Sequence, residues 1–137
     1  MTFLVERLAE LRRHLQHLRD LRPQVTSSAA IEASLTLHND VLFSLLMVAQ
    51  LTIDIAAELG ARRGDRFEDY TEAVRSLSRD ERFPPELVSQ LERVPGFRNI
   101  VIHEYVKINF NLVVKALDEL DAIDRFADIV RQIEADS

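Results

Sequence analysis

The tightest constraint on this chain is the spacing of its apolar residues, which follows helical periods almost from end to end. Leu4, Leu8, Leu11, Leu15 and Leu18 recur at intervals of four and three, the stripe that one face of an amphipathic helix presents to a core. Only three glycines and four prolines punctuate the sequence, and the alternation of apolar and polar residues that marks a strand is nearly absent. The predicted fold class is therefore all-α. With 137 residues, 47% of them hydrophobic, the chain is long enough for one core and short for two, so 1–137 reads as one domain.

Pro23 ends the first helix. Ser27 or Ser28 caps a second, which runs through Ile31, Leu35, Leu42, Leu45, Val48, Ile53 and Ile55 to a stop at Gly60, a spine of about 30 residues. Its apolar residues occupy more than one face, as expected of a helix covered on several sides by neighbours or by a second subunit. A polar loop over 61–66 follows, then a short helix over 68–77. Pro84-Pro85 opens a fourth helix, with Pro85 suited to a first helical position. Pro95 should kink that helix or split it in two. Asn109 suits the cap of a last helix whose stripe includes Leu112, Val113, Ala116, Leu120, Ile123, Phe126 and Val130. Connections this short predict an up-and-down bundle of four long helices plus a short one.

Several function classes are excluded by composition. Without cysteine, neither a disulfide framework nor a thiolate metal site can form. No HExxH or other carboxylate and histidine spacing suggests a metal ligand set, and Glu58, Glu68 and Asp69 read as solvated charges. So little glycine leaves no phosphate-binding loop, so no metal and no cofactor are expected. The stretch 41–57 is broken by Ser44, Gln50, Thr52 and Asp54 and falls short of the roughly 20 apolar residues that span a bilayer. The charged N-terminus, with Glu6 and Arg7, does not resemble an export signal. No membrane role is expected, and the cytoplasm is the default location. A net charge of −6 opposes general attraction to phosphate backbones, so any RNA site has to be a local groove.

Histidine is the side chain best suited to move protons near neutral pH, and there are four. His14 and His17 lie on a charged helix face and read as solvated. His38, beside Asn39 and Asp40, reads as an interhelical hydrogen-bonding residue. His103 differs, because it belongs to a dense polar cluster of Arg98, Asn99, His103, Glu104 and Tyr105 interleaved with Ile100, Val101 and Ile102. Composition alone leaves two readings of this cluster: a chemical site, or a helix end held by ion pairs and a buried tyrosine. At ~100° per residue, Asn99 and His103 lie ~40° apart on a helix, whereas Arg98 and His103 lie ~140° apart. Tyr105 would fall ~20° from Arg98 if the helix continued that far. One straight helix thus does not stack arginine under histidine, while two copies around a twofold axis bring two of each to one cleft.

The run Arg98-Asn99-Ile100-Val101-Ile102-His103-Glu104-Tyr105 resembles the signature of HepT-like toxins of the HEPN superfamily. The resemblance extends to Gln50-Leu51-Thr52-Ile53-Asp54-Ile55-Ala56, to Asp69-Tyr70-Thr71-Glu72-Ala73, to Val94-Pro95-Gly96-Phe97 and to Ile108-Asn109, and so covers about residues 40 to 120 in order. It implies a dimeric helical bundle and a metal-independent endoribonuclease that cleaves RNA by attack of a ribose 2′-hydroxyl. Arg98 and His103 would be the catalytic pair, with Asn99 and Tyr105 supporting them or positioning substrate. It also implies a cognate MntA-like minimal nucleotidyltransferase as antitoxin, which transfers AMP to Tyr105. The alternative is a HEPN-like subunit that binds such a nucleotidyltransferase and cleaves nothing.

Overall fold

The computed structural model describes residues 2–137. It is all-helical among those residues, with eight α-helices: α1 (Thr2–Leu21), α2 (Ser28–Ala33), α3 (Leu35–Arg62), α4 (Tyr70–Arg75), α5 (Pro85–Leu91), α6 (Val94–His103), α7 (Phe110–Leu117) and α8 (Asp121–Ala135). Short 3-10 turns over Arg22–Gln24 and Ser76–Arg79 follow α1 and α4. The first stripe packs as its spacing requires, since Leu4, Leu11, Leu15 and Leu18 are all buried. Burying each such side chain stabilises the fold by about 1.5–3 kcal/mol. They meet α3, which also contacts α4 and α6, while α8 closes over α1 and α5. Helix α3 is long and apolar enough to cross a membrane, yet 61% of its most apolar window is buried inside the bundle.

The bundle is the expected one, but three helix boundaries differ from those read in the sequence. The spine is not continuous. Ser34 adopts an extended backbone (φ −127°, ψ 111°) and its side chain accepts a hydrogen bond from the Leu37 amide, as Ser27 does from Ala30 at the start of α2. Each serine thus satisfies an amide at a helix start, and the second one begins a new helix where a stripe of apolar residues had suggested continuation. The spine also runs past Gly60 to Arg62, because the left-handed residue that ends it is Gly64 (φ 84°). Gly60 serves packing instead, with the tip of the Phe67 ring lying where a Cβ would stand and Ser76 Oγ 3.2 Å from that point. Finally, the last helix is broken between α7 and α8. Arg22 reaches from the end of α1 to grip both oxygens of Asp118, at 2.9 and 3.2 Å, and this bond holds the Asp118 carboxyl below the usual carboxylate range.

Three other expectations meet the structure directly. Pro85 is the first residue of α5, and the chain around Pro95 is split into α5 and α6. Asn109 caps α7, its side chain accepting from the Asn111 amide. His14, by contrast, is no free surface residue: its Nδ1 lies 3.0 Å from Ser44 Oγ of α3, and its ring meets Phe43 edge-on. Burial pushes its imidazole below the ordinary value, outweighing the nearby Glu10 carboxylate, while Arg13 and His17 act in the same direction as burial.

Two measurements check this description. Gly60→Ala gains helix propensity of up to about 1 kcal/mol but drives a methyl group into Phe67, an overpacking cost of about 1–3 kcal/mol; the thermal midpoint should fall, and the loss should shrink in a Phe67→Ala background. Because folding lowers the pKa of His14, the unfolded chain binds more protons just below pH 6.5, so its contribution is present above that pH and is lost as pH falls through the folded value. Denaturation at a series of pH values should show this acid sensitivity, and His14→Asn should reduce it.

Candidate active site

Helix α6 is placed by features at both of its ends. Pro95 lies in its first turn, where no intrahelical N–H is required. Its last helical residue is His103, after which the Glu104 amide bonds back to the Ile100 carbonyl and the Lys107 amide to the Glu104 carbonyl. Ile108 is buried, pinning the chain before Asn109 starts α7. One side of α6 presents Phe97 and Ile100 to an open, mostly apolar groove of about 580 Å³ that Leu45, Val48 and Leu112 also line. Val101 is buried. The polar residues are left for the remaining surface.

Arg98 points across to α3. Its Nε donates to Gln50 Oε1 at 2.6 Å and its Nη1 to Asn99 Oδ1 at 3.0 Å, while its guanidinium carbon lies 5.0 Å from the centre of the Tyr70 ring. Gln50 is itself held, its Nε2 donating to Asp54 Oδ1 at 2.8 Å one turn along α3. Tyr70 is presented because Asp69 caps α4, accepting from the Glu72 amide at 2.8 Å. Asp69 is therefore a structural cap and not merely a solvated charge, and the Glu68 amide is bound by Glu72.

The four residues read from the motif do not converge within one protomer. Arg98 and Asn99 are joined directly, and His103 lies exposed one turn beyond Asn99 on the same helix face. Because α6 is helical from Arg98 to His103, those two side chains leave the axis ~140° apart. Tyr105 lies beyond the helix end, so the ~20° relation to Arg98 expected of a continued helix does not apply. It is 61% exposed, and among the described residues no ion pair engages Arg98, His103 or Glu104. Both supports of the purely structural reading, ion pairs at the helix end and a buried tyrosine, are thus missing from that surface.

Sequence reasoning overlooked Gln50, Asp54 and Tyr70 as members of the cluster. A signal existed, because polar residues four apart interrupt the apolar stretch of α3. The other two interruptions are satisfied elsewhere: Ser44 bonds His14 of α1, and Thr52 Oγ1 donates to the Val48 carbonyl of its own helix at 2.8 Å. His38 makes its contacts elsewhere, bonded to neighbouring Asn39 and set edge-on against Phe110 of α7.

The helical bundle and the arginine, asparagine and histidine of its short α6 accompany a match that defines the class of protein. The match to the ribonuclease HepT-like family model spans residues 11–133, and this chain belongs to that family. Two relatives in sequence are an RNase-named protein of Archaeoglobus fulgidus, 30% identical over 99 residues that cover 69% of this chain and 75% of its own, and the mRNA nuclease HepT of Shewanella oneidensis, 22% identical over 135 residues covering 93% and 96%. The fold is shared with a tri-AMPylated HEPN toxin of Shewanella oneidensis solved in complex with MNT antitoxin, with a TM-score of 0.82 at 19% identity over 94% of this chain and 96% of that one.

His103 is exposed and half-buried Arg98 bonds polar neighbours, so His103→Ala and Arg98→Ala should each leave the helical circular dichroism signal unchanged, with a stability loss of no more than about 1 kcal/mol for His103→Ala and about 1–3 kcal/mol for Arg98→Ala, which frees the Gln50 oxygen. A cooperative loss of helix in either variant would return the cluster to a structural role.

Proposed function

We propose that this chain is the toxin of a toxin–antitoxin pair and cleaves RNA without a metal ion. The observation that carries the reading is the polar surface of α6, where a half-buried Arg98 lies beside exposed Asn99 and His103 and, among the described residues, bonds to neutral partners. In the proposed reaction His103 takes the proton of a ribose 2′-hydroxyl. The 2′-oxygen forms a bond to the adjacent phosphorus, the bond to the 5′-oxygen breaks, and that oxygen leaves with a proton from a second histidine. A cyclic phosphate and a free 5′-hydroxyl result. Arg98 stabilises the negative charge that develops on the phosphoryl oxygens through its fixed fork of donors. Asn99 holds Arg98 on the helix surface, and Tyr105 supports substrate by stacking or by its hydroxyl.

The second histidine requires a homodimer, and two features favour one. The groove beside α6 is largely apolar and open, the kind of surface that a second copy would bury. Doubling α6 about a twofold axis would also bring the diverging Arg98 and His103 of two copies to one cleft. A cytoplasmic setting suits an RNA substrate.

Regulation by a minimal nucleotidyltransferase of the MntA type is the natural partner role. In it the Tyr105 hydroxyl attacks the α-phosphorus of ATP, losing its proton, and pyrophosphate leaves. The ester formed would put bulk and negative charge beside His103 and close the cleft to RNA. The exposure of Tyr105 supports this role, as does the AMP carried by the HEPN toxin of similar fold. In the alternative reading the chain binds the nucleotidyltransferase and has no activity of its own.

A fluorescent RNA assay with chelator present separates the two readings. The purified protein should cleave, Arg98→Ala and His103→Ala should each lose about 10²–10⁴-fold in rate, and sedimentation should give a dimer. Absence of cleavage in the antitoxin-free protein would favour the binding subunit. With an MntA-like nucleotidyltransferase and ATP, intact mass should rise by whole AMP units, and Tyr105→Phe should abolish the gain; equal modification of Tyr70 would overturn the assignment to Tyr105.

A further inference from the structure

We propose that Gln50 is a positioning residue that aims the Arg98 guanidinium with an uncharged amide and so leaves its positive charge available to a phosphate group. The inference deepens the RNA-cleavage reading and rests on it.

The usual fate of an arginine in this chain is a carboxylate. Arg12 meets Asp128 at 2.8 Å, Arg22 meets Asp118 at 2.9 Å, Arg62 meets Glu134 at 2.6 Å and Arg75 meets Glu92 at 2.7 Å. Arg98 is treated differently. Its acceptors are the amide oxygens of Gln50 and Asn99, and its third neighbour is the face of Tyr70. All three orient a guanidinium without cancelling its charge. A carboxylate stands next in line, since Asp54 lies one turn from Gln50 on α3. Gln50 lies between them, giving its NH₂ group to Asp54 and its oxygen to Arg98. Asp54 thereby fixes which end of the amide faces the arginine, because a flipped amide would set a donor against Nε and an oxygen against a carboxylate.

The chemistry explains why this residue type suits the position. A carboxylate at position 50 would hold Arg98 as firmly but would compete with any incoming phosphate for the same charge. An apolar residue would leave the charge free and the fork unaimed. Glutamine alone combines the reach of glutamate with neutrality, and its place in the bundle rather than at a tip makes the aim rigid. The phosphate would meet the Nη face that Gln50 and Asn99 do not occupy.

The test compares Gln50→Glu and Gln50→Leu in the full chain, with inorganic sulfate as the anion probe and the Arg98 Nε–H resonance as the reporter. Gln50→Glu, made in an Asp54→Asn background so that two carboxylates do not face each other, should retain a hydrogen-bonded Nε–H resonance, bind sulfate at least tenfold more weakly at Arg98 than Asp54→Asn alone, and lower kcat for RNA by about 10²-fold, the scale of losing one stabilising donor. Gln50→Leu should lose the protected resonance and lower kcat while leaving KM close to wild type. A merely structural glutamine would shift stability in both variants and leave sulfate binding unaffected by the charge at position 50. Gln50→Glu that binds sulfate and cleaves RNA as Asp54→Asn alone does would overturn the inference while leaving the RNA-cleavage reading intact. If the wild type cleaves no RNA but sulfate binding still follows the charge at position 50, the cleavage reading fails and the anion site stands.

Discussion

Helix α3 cannot be left in water, and the rest of the bundle follows from covering it. Its buried residues include Val41, Leu45, Val48, Leu51, Ile53, Ile55 and Leu59, which point around most of the helix circumference, so no single neighbour suffices. Helix α1 covers one side with its leucine stripe, and α4 and α6 cover others. The few polar residues on α3 are consequently confined, and each must find a partner where it stands. Thr52 bonds the backbone of its own helix, Ser44 bonds His14, and Gln50 bonds Arg98. No buried side-chain polar atom among the described residues lacks a partner.

The same confinement gives the candidate site its rigidity. An exposed arginine on a short helix would ordinarily sample many rotamers, at a cost of side-chain entropy whenever it is called on to bind. Here the guanidinium is tied to the longest helix of the molecule through Gln50, and Gln50 is tied in turn to Asp54. Tyr70 approaches from a third element, set by the Asp69 cap. Among the described residues, no side-chain hydrogen bond or ion pair holds His103 or Tyr105, and both are exposed. The candidate site thus pairs a preorganised cation with a histidine and a tyrosine that remain accessible, and the proposed reaction would use the first for phosphate and the others for proton transfer and modification.

Surface electrostatics are arranged consistently with this division. The chain is acidic overall, and most of its arginines are matched to carboxylates across helix junctions, as Arg22 is to Asp118 at the break between α7 and α8 and Arg62 is to Glu134 at the C-terminal end of α3. Exposed pairs of this kind add little stability individually. Their larger effect is to leave few uncompensated cations, so that the field around Arg98 is not lost among others.

The amino-acid sequence by itself determined the helical class, the leucine stripe of α1, the break at Pro95, the cap at Asn109 and the location of the polar cluster between Arg98 and Tyr105. These are local properties: side-chain periodicity, proline geometry and the capping preference of asparagine act over a few residues and can be read there. What was not legible depends on contacts between distant segments. Whether Gly60 ends a helix or seats Phe67 was decided by packing between segments, and the cap at Ser34, though local, competed with an apolar stripe that pointed to continuation. The end of α6 at His103, which removes Tyr105 from the face expected of a longer helix, rests on the turn that anchors Ile108. Above all, only the tertiary structure brought Gln50 and Tyr70 to Arg98, because side chains 48 and 28 positions away can be matched to one guanidinium only after α3, α4 and α6 have packed together.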